Sequence, residues 1–295
     1  MSDVISGLWV ALATPLDAEG QVDHAALVRH CLWLLDQGCD GLVPFGTTGE
    51  GPSFSGAERL AATEALLKAG IRAERIALGT GFPSIPDTVA LTREAMALGL
   101  THALVLPPYF FRNATDEGLE DAFAAIIDGV GSDRLRATLY HIPQVSGVAV
   151  PAAALGRLRI RYGKMVAGVK DSSGDFDSFL AFRRTAPDCG VLVGAEVHIH
   201  RALAAGGTGT ICGMANVVPD LVRAMFHSAA AETAMRSACE QFADPQFLPL
   251  MKAALAAGTG DAAWRTVRPP LRSADPARGA RIAAVLAALR ARQAA

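Results

Sequence analysis

"MVAGVKDSS", residues 165–173, runs from methionine through small apolar residues into a lysine without a polar interruption. A strand with one wet face alternates apolar and polar residues. An unbroken apolar run marks a strand covered on both faces, as in a parallel sheet. Seven other stretches read the same way: "GLWVALATP" (7–15), "GLVPFG" (41–46), "RIALGTG" (75–81), "HALVLPP" (102–108), "RATLYHIP" (136–143), "GVLVGAE" (190–196) and "GTICGMA" (209–215). Each is followed by a segment with helical spacing of its apolar residues. The clearest is 23–38, where Leu27, Cys31, Leu34 and Leu35 share a face and Gly38 ends the pattern. Further helices are predicted over 56–69, 86–98, 115–129, 151–162 and 176–185, with a short one ending near Gly206 and another starting near 218.

Eight β-then-α units predict a closed (β/α)8 TIM barrel, a fold of typically ~250 residues. The rival is an open doubly wound sheet. It usually carries a GxGxxG turn after an early strand, and this chain has none. The barrel domain is read as 1–225. Residues 226–295 hold "AAAETAMRSACEQF", "QFLPLMKAALAAG" and "ARIAAVLAALRARQ", which predict a C-terminal helical region packed on the barrel.

Composition narrows the function. The chain has 295 residues, 51% of them hydrophobic, enough for a large core, and a net charge of −2. No dense basic run points to nucleic acid or to an anionic membrane. No apolar run reaches the ~20 residues of a membrane span, and the N-terminus lacks a secretory pattern. The five cysteines show no CxxC spacing and read as reduced, mostly buried thiols of a cytoplasmic protein. His198 and His200 are the nearest approach to metal-ligand spacing and read as an ordinary, partly exposed pair.

In a barrel of this kind the chemistry sits at the C-terminal ends of the strands. Lysine is scarce here, occurring only at 68, 164, 170 and 252, so Lys170 at the tip of an apolar strand stands out. Burial disfavours a charged amine, and a neutral amine attacks ketones to form a Schiff base. The alternative is a structural lysine paired with Asp171 or a neighbour across the barrel. "GTTGE" (46–50) offers hydroxyls of Thr47 and Thr48 and backbone N–H groups in a glycine-flanked turn, a cradle for a carboxylate or simply a turn. Tyr140, one strand from Lys170, is a proton relay or a core tyrosine. Together the three suit a 2-oxo acid such as pyruvate.

These residues, with "GTTGEGPSFSGAER", "YHIP", "GVKDSSGD" and "GGTGTICGMANVVP", resemble the dihydrodipicolinate synthase / N-acetylneuraminate lyase family of class I aldolases. The resemblance implies a homo-oligomeric barrel, a tetramer or dimer, that needs no cofactor or metal and takes pyruvate. It implies Lys170 as the Schiff-base lysine and Tyr140 as the relay phenol. Thr47 and Thr48 would hold the carboxylate, Gly194 and Ile211 would line the pocket, and Tyr109, the first tyrosine of the family's "PYY", would also bind substrate. Two synthase features are replaced. Phe110 stands where a second tyrosine serves a neighbouring subunit, and Val145 where an arginine binds the second substrate's carboxylate. His141 replaces the usual asparagine. These departures favour an aldolase cleaving a 2-keto-3-deoxy sugar acid or related 4-hydroxy-2-oxo acid. The alternatives are a 4-hydroxy-tetrahydrodipicolinate synthase, a related dehydratase, or a silent sugar-acid sensor. Glu196, after the seventh strand, is read as a binder of substrate hydroxyls or as a solvated rim carboxylate.

Overall fold

The computed structural model describes residues 3–294. Eight parallel strands follow the chain: β1 (Gly7–Ala11), β2 (Gly41–Val43), β3 (Ala77–Gly79), β4 (His102–Val105), β5 (Arg136–His141), β6 (Val166–Asp171), β7 (Gly190–Val193) and β8 (Gly209–Cys212). They pair in the order β2-β1-β8-β7-β6-β5-β4-β3. A parallel bridge between Leu42 and Ile76 joins the two ends of that order, so the sheet curls into a barrel. The TIM-barrel expectation therefore holds, and the open-sheet alternative does not.

All eight strands are shorter than their apolar runs, for local reasons. After β2 comes Pro44, which has no N–H for the ladder, and then Phe45 in the left-handed region at φ 58°. After β4 comes Leu106-Pro107-Pro108, where two successive residues cannot donate. The leftover apolar residues form the loops above the barrel, which is where a site is built.

The helices match their predicted spans closely: His24–Asp36, Gly56–Lys68, Ile85–Ala97, Asp116–Val130, Ala152–Tyr162 and Phe176–Thr185. Their starts are chemically specified. Asp23, Ser84 and Thr115 each accept a backbone N–H at an N-terminus, and Ser55 with Glu58 forms a reciprocal capping box. The short helices Ile199–Ala204 and Pro219–Ala224 complete the ring. Beyond it lie Ala231–Glu240, Phe247–Thr259 and Pro276–Ala294, the last two packed along each other.

Two cores result. A large one fills the space between strands and helices, including Val169, Phe179, Phe182 and Val191. A smaller one fills the barrel interior with Trp9, Val43, Leu104, Tyr140, Leu192 and Ile211. This division decides which side chains of β6 reach the site. No helix among the described residues is long and apolar enough to cross a membrane.

Candidate active site

Side chains alternate along β6, so Lys170 and Asp171 face opposite ways. Lys170 lies in register with Tyr140 on β5 and Leu192 on β7, both members of the interior core. Asp171 pairs with His141 and Val193 on the helix side and accepts the Ser173 N–H at 2.9 Å. The two residues do not form an ion pair. Lys68, Lys164 and Lys252 each have a carboxylate within 3.4 Å, whereas Lys170 has none within salt-bridge distance among the described residues. It is 3% exposed, and its Nζ sits 4.2 Å from the centroid of the Tyr140 ring. The structural-pair alternative for Lys170 thus loses its partner.

Tyr140 is itself 2% exposed, and its hydroxyl lies 3.1 Å from Thr47 Oγ1. That contact ties the "GTTGE" loop to the lysine. The loop is tightly formed: Glu50 N–H donates to Thr47 O at 3.0 Å, Gly51 N–H to Gly46 O at 3.0 Å, and Thr14 Oγ1 to Gly49 O at 2.9 Å. A Cβ on Gly49 would come within 2.6 Å of Leu12 O, so only glycine fits there. Glu50 takes the left-handed φ of 55°. Its side chain turns inward to Lys252 Nζ at 2.7 Å and also accepts the Arg268 N–H. The C-terminal helical region therefore holds the threonine loop directly.

Lys170, Tyr140, Thr47, Thr48, Gly194, Glu196 and Ile211 all line one cavity of about 240 Å³ at the C-terminal end of the barrel. At Gly194 a Cβ would fall 2.0 Å from Ser172 Oγ, so glycine is the residue that lets Ser172 reach the wall. Glu196 Oε1 accepts the N–H groups of Gly213 at 3.1 Å and Met214 at 3.0 Å. The residue reaches the surface in part, and Oε2 is not one of the buried unpartnered atoms. Burial pushes that carboxyl above the ordinary carboxylate range, opposed by the two N–H donors and by the Lys170 charge. Glu196 is therefore a cavity residue with one oxygen fixed.

Tyr109 is placed elsewhere. It does not line this cavity. It lies half-buried beside the buried Arg59, where desolvation raises its phenol and the guanidinium opposes the rise. Phe110 and Val145 stand in the open, 75% and 54% exposed. His141 is buried against the helices, its Nδ1 accepting the Val150 N–H at 2.9 Å. His198 meets the Gly174 carbonyl at 3.2 Å. All five cysteines are free thiols, and four are buried.

Sequence reasoning missed part of the wall: Phe242, Phe247 and Met251 come from beyond residue 225. It also missed the Glu50–Lys252 pair. The scarcity argument applied to Lys170 holds equally for Lys252, which sits inside "QFLPLMKAALAAG" and would have been flagged by it.

The sequence matches the dihydrodipicolinate synthetase family over residues 4–276. A DapA-like lyase of Chloroflexus aurantiacus is 36% identical over 273 residues, covering 90% of each chain. A 4-hydroxy-tetrahydrodipicolinate synthase of Moorella thermoacetica is 37% identical over 220 residues, covering 74% of this chain and 73% of its own. The crystal structure of dihydrodipicolinate synthase from Agrobacterium tumefaciens superimposes with a TM-score of 0.90 at 34% identity, covering 97% of this chain and 99% of that one. With a barrel of the same fold and a family match across nearly its whole length, this chain belongs to the dihydrodipicolinate synthetase family of class I aldolases and lyases.

Proposed function

We propose that the protein is a Schiff-base aldolase that cleaves a 2-keto-3-deoxy sugar acid, or a related 4-hydroxy-2-oxo acid, to pyruvate and an aldehyde. One observation carries this reading: an interior lysine without a carboxylate partner faces a phenol that is hydrogen-bonded to a threonine. The Lys170 amine adds to the ketone carbon, and water leaves as the imine forms. Tyr140, oriented by Thr47, takes the proton of the substrate's 4-hydroxyl. The C3–C4 bond breaks, the aldehyde departs, and the electron pair enters the protonated imine to give an enamine. Protonation at C3 and addition of water release pyruvate and the free amine. Thr47, Thr48 and the N–H groups of their loop hold the substrate carboxylate.

The hydroxylated end of the substrate meets Glu196 and Ser172, which bind neutral hydroxyls. Aspartate semialdehyde, the synthase's second substrate, brings a second carboxylate. Val145 offers it no cation, and the loss of a charged hydrogen bond costs about 1.5–3 kcal/mol. Phe110 likewise has no hydroxyl to lend. Its ring pairs edge-on with Phe111, which is 71% exposed, and such an apolar pair supports a homo-oligomer, dimer or tetramer, in which it is covered. The free, mostly buried thiols support a cytoplasmic setting.

A side-by-side kinetic comparison tests the assignment. The expected preference for hydroxy-oxo-acid cleavage over condensation of pyruvate with aspartate semialdehyde is about tenfold or more in kcat/KM. Efficient condensation with no cleavage of any hydroxy-oxo acid assigns the chain to the synthase reaction instead.

A further inference from the structure

The cavity at Lys170 is not the largest in the molecule. A cleft of about 500 Å³ lies between the helices His24–Asp36, Phe247–Thr259 and Pro276–Ala294. It uses the other side of a helix that serves the catalytic cavity: Phe247 and Met251 face Lys170's cavity, while Ala254, Leu255 and Gly258 face the cleft. The space exists because small residues oppose one another, with Ala26 on one wall, Ala254 and Gly258 on the second, and Ala283 and Ala287 on the third. Its size is that of a site for a small molecule.

One end of the cleft is aromatic. The His30 ring lies 5.6 Å from that of Trp33, nearly parallel, and 4.8 Å from that of Trp264, edge-on. The tautomer of His30 follows from its neighbour. Asn216 Nδ2 donates to the carbonyls of Ala11 and Gly213, both at 2.8 Å, and Asn216 Oδ1 accepts the Ala13 N–H. The amide orientation is thereby fixed, and Oδ1 is also the atom facing His30 Nε2 at 3.2 Å. Nε2 must carry the hydrogen, which leaves Nδ1 as an acceptor. Burial holds the ring at a pKa of about 4, so it is neutral at physiological pH. Nδ1 has no hydrogen-bond partner among the described residues, and it is not one of the buried unpartnered polar atoms, so it stays open to solvent. A donor on a bound molecule can meet this nitrogen in place of water.

We propose that this cleft is a second binding site, for a small planar aromatic molecule carrying an O–H or N–H donor. The ring packs against Trp33 and Trp264, and the donor meets His30 Nδ1. This site does not depend on the chemistry assigned to Lys170.

Two of the protein's three tryptophans line the cleft, and the third, Trp9, lies on β1, so tryptophan fluorescence reports on it. The probes are phenol and toluene, which match in shape and differ in the donor. Phenol is expected to quench saturably and to bind about fivefold or more tighter than toluene, despite toluene's greater hydrophobicity. Ala283→Phe fills the cleft and is expected to abolish the saturable quenching. His30→Phe keeps a ring and is expected to erase the difference between the probes. Thermal melts identify any variant that fails to fold, and the wild-type comparison of the two probes stands without the variants. Toluene binding as tightly as phenol, no saturable quenching by phenol, or quenching that survives in folded Ala283→Phe would overturn the proposal. A change in native mass in Ala283→Phe would overturn it too, because the cleft would then be a contact between copies of this chain.

Discussion

Glu50 and Lys252 meet 2.7 Å apart with side chains 1% and 2% exposed, and they join residues 202 positions apart in sequence. Glu50 closes the loop that carries Thr47 and Thr48, while Lys252 sits on a helix that also walls the catalytic cavity through Met251. Arg268 strengthens the same junction, reaching Glu50, Ser53 and Glu58 and stacking over Phe54 at 4.2 Å. The threonine loop is thus held in place by the C-terminal region as well as by the barrel.

Lys252→Met leaves the Glu50 carboxylate buried without its cation. The expected loss is about 3–5 kcal/mol of stability, measured by denaturant unfolding. Glu50→Gln combined with Lys252→Met removes both charges and is expected to recover a substantial part of that loss. A single variant as stable as the wild type would show that the pair does not hold the loop.

Tyr140→Phe keeps the ring over Lys170 and removes the hydroxyl that meets Thr47. Steady-state kinetics are expected to show kcat lower by about 10²–10⁴, the range for a lost general acid–base. Unchanged turnover would make Tyr140 a core residue only.

Acid stability follows from His30. Its pKa is lowered from 6.5 to about 4 by burial, so the unfolded chain takes up a proton below 6.5 and the folded chain does not until about 4. Across that window the unfolded state binds more protons, and stability falls as pH falls. The contribution is of the order of 3 kcal/mol between the two values. Unfolding free energies measured from pH 7 to 4 are expected to show this slope in the wild type and a shallower one in His30→Phe. Equal slopes would contradict the assignment.

The fold was legible because a barrel writes a local code. Each strand is an unbroken apolar run, and each helix has its spacing, cap or glycine stop, as at Asp23 and Gly38. The strand tips carrying Lys170 and Tyr140 were legible for the same reason, since barrel chemistry gathers at those tips, whereas Gly194 and Ile211 were singled out only by the family resemblance. What joins distant parts of the chain was not legible. Nothing near Glu50 announces that its partner is Lys252, and nothing near Phe247 or Met251 says that they turn towards Lys170. Nor does the motif around Tyr109 say that the loop after β4 carries it beside Arg59, outside this chain's Lys170 cavity.

The central claim is that Lys170 is the nucleophile, and trapping it with pyruvate and borohydride tests that claim most directly. Intact-mass and peptide analysis are expected to find one reduced pyruvyl group, on Lys170 alone, and none in Lys170→Ala. An adduct on Lys68, Lys164 or Lys252, or no adduct on the folded wild-type protein, would contradict it.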